Sequence, residues 1–173
     1  MEEIRNIITV IATLISFWSV YTARRLWYQS NRPLLSALLK EHSAGIDTAL
    51  FDLIIVNSGN RPATDIYIKA KKVDIDSVFK ENAKEGSKKY LYQIFSGKSK
   101  IQVLLNGKEV KTAFSGCSTN IENSACILEY ESELPIIIHY KDIDGNKYYS
   151  KLSLYIRDSD GFGGSVWKKE PSK

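Results

Sequence analysis

Two histidines, two cysteines and the aspartate pair in front of Gly145 are the residues of this chain best suited to chemistry. His42 and His139 lie far apart, and neither has the neighbours of a known catalytic or metal-binding motif. His139, inside the apolar run IIIHYKD, reads as a core or sheet-face histidine. Cys117 and Cys126 could close a small loop in an oxidising compartment, or stand as free thiols in a reducing one. They form no CxxC and no His/Cys cluster, so zinc is not expected. Asp142 and Asp144 precede Gly145 as in a calcium loop, but the twelfth position, where a closing Glu is needed, is Ser153. An Asp-Gly turn is the plainer reading. No serine sits in a nucleophile elbow, and no glycine-rich loop stands ready to cradle phosphate. The expectation is a protein without catalytic residues, metal or cofactor.

Charge gives a second set of candidates. Lysines cluster at Lys69, Lys71 and Lys72, then at Lys80, Lys84, Lys88 and Lys89. Most such clusters are solvated faces, and the competing reading is contact with an anionic lipid or a nucleotide. Lys69, Lys71, Lys88 and Lys89 are the candidate ligand or partner contacts. The chain carries 24 Lys and Arg against 20 Asp and Glu, a net charge of +4. That balance, with the two signs interspersed, argues against a dedicated binder of duplex nucleic acid.

The element that must position everything else is Ile7 to Ala23, an uncharged apolar run. As a helix it is about 25 Å long, and with Ile4 to Asn6 it reaches about 30 Å, the thickness of a bilayer core. Trp18 and Tyr21, with Arg24 and Arg25 behind them, are suited to the headgroup layer as interface anchors. A surface-lying helix would need a charged face, and a cleaved leader would start basic and end at small residues. The run starts from Met-Glu-Glu and ends in Arg-Arg, so an uncleaved single-pass anchor is expected. Arg24, Arg25 and Arg32 outweigh Arg5 beside Glu2 and Glu3, which places the following domain in the cytoplasm, at an inner membrane. Ala12, Ser16, Ser19 and Ala23 form one stripe of small residues along the helix. Such a stripe lets helices associate; the alternative is a single helix whose hydroxyls bond its own carbonyls.

At 173 residues the chain has room for an anchor over 1–30, one domain over 31–157 and a loose tail over 158–173. Strands are expected at Leu34–His42, Ala49–Asn57 and Thr64–Val73, the last with Ile66, Ile68 and Ala70 on one face and Tyr67, Lys69 and Lys71 on the other. Asn57 to Ala63 reads as an ordered turn between two of them. The polar stretch Asp74–Tyr92 is expected to hold one short helix at Ile75–Ala83, then a loop. Asn106-Gly107 predicts a hairpin joining Lys100–Leu105 to Glu109–Phe114. A small-residue loop follows over Ser115–Ser124, then a strand at Ala125–Tyr130. Leu134–Tyr140 and Lys147–Ile156 predict a closing hairpin around Asp142–Asn146. This spacing of strands points to a mainly β fold, an antiparallel β-sandwich of immunoglobulin-like form, with a closed barrel as the alternative.

Asn31-Arg32-Pro33, then Asn57, Gly59, Pro62 and Ala63 after a core strand, then Tyr140, Asp142, Gly145 and Tyr148 follow one another in order behind the span. This arrangement resembles a broad group of bacterial single-span membrane proteins with a small cytoplasmic β-sandwich. The resemblance implies a fold and brings no catalytic residues. The expected function is therefore a membrane-anchored, non-enzymatic interaction module that binds a protein. The alternative is an oligomeric membrane effector of antiviral defence, gated by a nucleotide signal on the soluble domain.

Overall fold

The computed structural model describes residues 1–44, 48–81, 83, 85–118 and 127–157. It divides into two compact units, Met1–Arg32 and Pro33–Lys173.

The first unit is one helix, α1 (Glu2–Ser30), with no buried residue. It is long and apolar enough to cross a membrane. Thr9, Thr13 and Ser16 each donate a side-chain hydrogen bond to the carbonyl four residues back, so these hydroxyls are satisfied within the helix. Asn31 ends α1, since its backbone N–H and its side-chain amide both donate to the Trp27 carbonyl at 3.0 Å.

The second unit contains two antiparallel sheets that share one core. The first sheet has the order β1-β2-β5, with β1 at Leu35–Ala44, β2 at Thr48–Asn57 and β5 at Glu109–Ser118. The second has the order β4-β3-β6-β7, with β3 at Ala63–Lys69, β4 at Ile101–Leu104, β6 at Glu133–Lys141 and β7 at Lys147–Tyr155. Phe51, Leu53 and Ile55 of β2 alternate inward, as do Leu134, Ile136 and Ile138 of β6, and all six belong to the common core. Among the described strands neither sheet closes on itself, so the barrel alternative does not hold.

Between β3 and β4 the chain forms α2 (Lys72–Asp76) and α3 (Glu85–Phe95). Leu91 and Phe95, four residues apart, are both buried, and the Phe95 ring meets Phe114 of β5 edge-on at 6.0 Å. This corrects the expectation of one helix followed by a loop: α3 buries a narrow apolar stripe that its lysines and glutamine mask in the sequence. β3 likewise ends at Lys69 rather than Val73, because Ala70 N–H bonds to the Phe95 carbonyl and the chain turns into α2.

The Asn106-Gly107 hairpin is also corrected. The turn forms, with Lys108 N–H bonded to the Leu105 carbonyl and Gly107 at φ +67°. It carries the chain from one sheet to the other, however: β4 pairs with β3, whereas β5 pairs with β2. β5 continues to Ser118, beyond the expected end at Phe114. Residues 127–130 form no strand, only a single bridge between Leu128 and Phe79. Cys117 lies in β5 opposite Ala49, while Cys126 and the tail over 158–173 lie outside the described residues. The closing hairpin is found as expected, in unbroken register from Glu133–Tyr155 to Lys141–Lys147.

Candidate functional site

Sheet alternation builds the candidate site. Leu134, Ile136, Ile138 and Tyr140 of β6 face the core, so Pro135, Ile137, His139 and Lys141 face outward. β3 and β7 flank β6, and their register sets the outward side chains in rows. Tyr67, His139 and Tyr149 are directly opposite one another across the three strands. The next row is Lys69, Ile137 and Lys151. On the other side of the rings, Lys141 pairs with Lys147. A row of rings thus lies between two rows carrying lysine.

Tyr67 and His139 stack with centroids 5.0 Å apart and planes 16° from parallel. Lys69 Nζ lies 5.4 Å from the centre of the Tyr67 ring and Lys100 Nζ 6.0 Å from it, both within cation–π range. Burial, and secondarily the charge of Lys69, holds the His139 pKa below the ordinary histidine value. Lys141 is engaged by Asp65 at 2.7 Å. That hydrogen bond, with the attraction of the opposite charges, lowers the Asp65 pKa and raises that of Lys141.

Beside the ring row is a cleft of about 820 Å³. Lys69 at the end of β3, Lys71 just before α2, Asp74 of α2 and Lys151 of β7 line it together with apolar Pro135 and Ile137. Its volume falls within the range of about 300–1,000 Å³ typical of small-molecule sites. A cationic rim over an apolar floor suits an anion with a hydrophobic body.

Of the lysines selected from the sequence, the fold brings Lys69 and Lys71 to this cleft. Lys88 and Lys89 lie on α3 and do not line it; Lys88 sits 3.7 Å from Glu85 and over the Phe79 ring. Lys151, Ile137, Tyr67 and Tyr149 were not selected. Their signal was the alternation of β3, β6 and β7, but it became legible only once β6 was known to lie between the other two.

Both carboxylate oxygens of Asp142 are engaged within its own turn. The residue is 2% exposed and accepts four hydrogen bonds, from the backbone N–H groups of Asp144 and Asn146, the Asn146 amide and the Tyr148 hydroxyl. Among the described residues no group of three or more His, Cys, Asp or Glu gathers as a metal site. On α1, Ser16 bonds Ala12, Trp18 and Tyr21 stand 6.3 Å apart, and Arg24 lies over Tyr28. Ser19, Ala23 and Arg25 are exposed on the same helix.

An apolar N-terminal helix followed by a two-sheet unit with a basic, ring-bearing outer face defines a helix-plus-β-domain class of protein. Residues 4–158 match a family described as a domain of unknown function (DUF8453), and the chain belongs to that family. No curated protein and no solved structure matches it.

Proposed function

We propose that this chain is a single-pass, membrane-anchored, non-enzymatic interaction module with its sheet unit on the cytoplasmic side of a bacterial inner membrane. The observation that carries the reading is the division into an apolar helix without a buried residue and a compact unit with its own core. Orientation is supported by Arg24, Arg25 and Arg32 behind the span, against a single Arg5 that faces Glu2 at 3.8 Å. An immunoglobulin-like sandwich is supported by connectivity. β1 to β2 and β6 to β7 stay within a sheet, while β2 to β3, β4 to β5 and β5 to β6 each cross between sheets. A protein is the expected partner of the module. Alkaline extraction should leave the full chain in the membrane, and a mild-detergent pull-down should recover a stoichiometric protein. Release at high pH, or a pull-down that yields no such protein, would count against the reading.

A second reading is favoured by the basic cleft: an oligomeric membrane effector of antiviral defence, gated by a nucleotide. The spans would associate along Ala12, Ser16, Ser19 and Ala23, with close approach through small residues. Membrane potential recorded during induced expression tests it, and an unchanged potential with candidate nucleotides supplied removes the effector step.

A further inference from the structure

We propose that the cleft between β3, β6, β7 and α2 is a nucleotide site. Phosphate would be held by Lys69, Lys71 and Lys151, the planar base would lie on Pro135 and Ile137, and Asp74 would accept from a hydroxyl or ring amine. The inference rests on the unit being a binding module, and names the ligand class of its basic face.

Three observations carry it. First, among the described residues none of the three lysines has a carboxylate within ion-pair distance, whereas Lys88 and Lys141 on neighbouring surfaces do. The fold gathers three cations without a carboxylate partner, Lys69 and Lys151 lying instead over the rings of Tyr67 and Tyr149. Three ammonium groups against the one Asp74 carboxylate leave two positive charges, the match for a phosphate dianion. Second, Lys69 and Lys151 sit directly across Ile137 from one another, each one strand away. At about 4.8 Å per strand their Cα atoms are about 10 Å apart, a span that two lysine stems close around one phosphoryl group. The apolar residue between them offers a flat body a surface to cover. Third, Asp74 faces the same cleft. A carboxylate beside a phosphate is unfavourable unless the ligand brings a hydrogen-bond donor, and a nucleoside brings both hydroxyls and, in most bases, an amine. The phosphate of a phosphatidylserine headgroup shares the first chemistry, so the experiment separates the two sources.

The test uses the full chain in phosphatidylcholine nanodiscs, titrated with ADP, adenosine and inorganic phosphate and followed by calorimetry. ADP is expected to bind at least about tenfold more tightly than adenosine or phosphate alone. Lys151→Glu should weaken it by about tenfold or more, since it replaces attraction by repulsion. Lys147→Glu, on the same strand but outside the cleft, should change it by less than about twofold. Asp74→Asn should weaken ADP while leaving inorganic phosphate unchanged. No ADP binding at about 1 mM, or binding indifferent to Lys151→Glu, overturns the assignment. So does Lys151-dependent binding to phosphatidylserine vesicles without ADP binding, which would make the ligand a lipid. These outcomes leave the tethered-module reading intact, since that reading fails instead on alkaline extraction and partner recovery.

Discussion

The side-chain amide of Asn57 donates to the Leu104 carbonyl at 3.1 Å, joining the last residue of β2 to the last residue of β4 across 47 positions of chain. The same amide donates to the Arg61 carbonyl at 2.8 Å, and its oxygen accepts from the backbone N–H groups of Leu34 and Gly59. The Asn57 main chain is equally committed: its N–H bonds to the Lys108 carbonyl and its carbonyl accepts from Gly107. One fully buried residue therefore ties together the entry to β1, the β2–β3 crossing and the β4–β5 crossing. Both crossings take the chain from one sheet to the other, so Asn57 fixes how the sheets are connected at that end.

Replacing Asn57 by Ala should thus cost far more than an ordinary surface change. Two donors and two acceptors in a water-poor setting lose their partner, at about 1–3 kcal/mol for each group left unmet. A total loss of about 3 kcal/mol or more is expected, read as a lowered thermal midpoint of the full chain in detergent. Asn57→Asp should be no milder, because a carboxylate cannot donate to the Arg61 and Leu104 carbonyls and adds a buried charge. A loss below about 1 kcal/mol for Asn57→Ala would show that the crossings hold themselves.

The turn of the closing hairpin is organised in the same way around Asp142, with an acid dependence. Burial pushes its carboxyl upward, but the four hydrogen bonds from Asn146, Tyr148 and Asp144 outweigh that and hold its pKa below 3.8. A carboxylate with a lowered folded-state pKa adds stability that is fully present above 3.8 and is lost as pH falls through the folded value. Asp142→Asn should therefore be less stable than wild type at neutral pH, with the gap narrowing as acid is added below 3.8. Melting both proteins across a pH series decides it, and a gap that stays constant into strong acid would remove Asp142 from the acid response.

The legibility of this chain in its sequence divides along the same line. Asp142-Ile143-Asp144-Gly145-Asn146 is a turn by its own chemistry, and it joins strands adjacent in the chain, so the hairpin could be read locally. Asn57-Ser58-Gly59-Asn60-Arg61-Pro62 was legible as an ordered turn for the same reason. Asn106-Gly107 was legible as a turn and misleading as a hairpin, because a turn's residues specify a reversal and not the partner of the next strand. That partner is chosen by inward faces such as Leu53 and Phe114, which are far apart in sequence. The candidate site suffered from the same non-locality. Lys69 and Lys71 stand close together in the chain, whereas Lys151, which completes the cleft, is brought there only by β6 pairing with both β3 and β7.

His139 offers a spectroscopic probe of that surface. Burial is the larger cause of its lowered pKa and Lys69 the second, so removing the lysine charge should raise the value without restoring it fully to 6.5. Lys69→Gln should shift the imidazole titration upward in a proton NMR series, with His42→Gln used to assign the only other histidine. The sign for stability follows from which state holds the proton. Below 6.5 an unfolded His139 is protonated while the folded one resists, so its contribution is complete above 6.5 and declines as pH falls through the folded value. His139→Gln should flatten that part of the stability profile, and Lys69→Gln should make it shallower. Identical titration of His139 with and without the Lys69 charge would mean that the lysine points away from the ring row in solution, and would take Lys69 out of the electrostatics of the cleft as well.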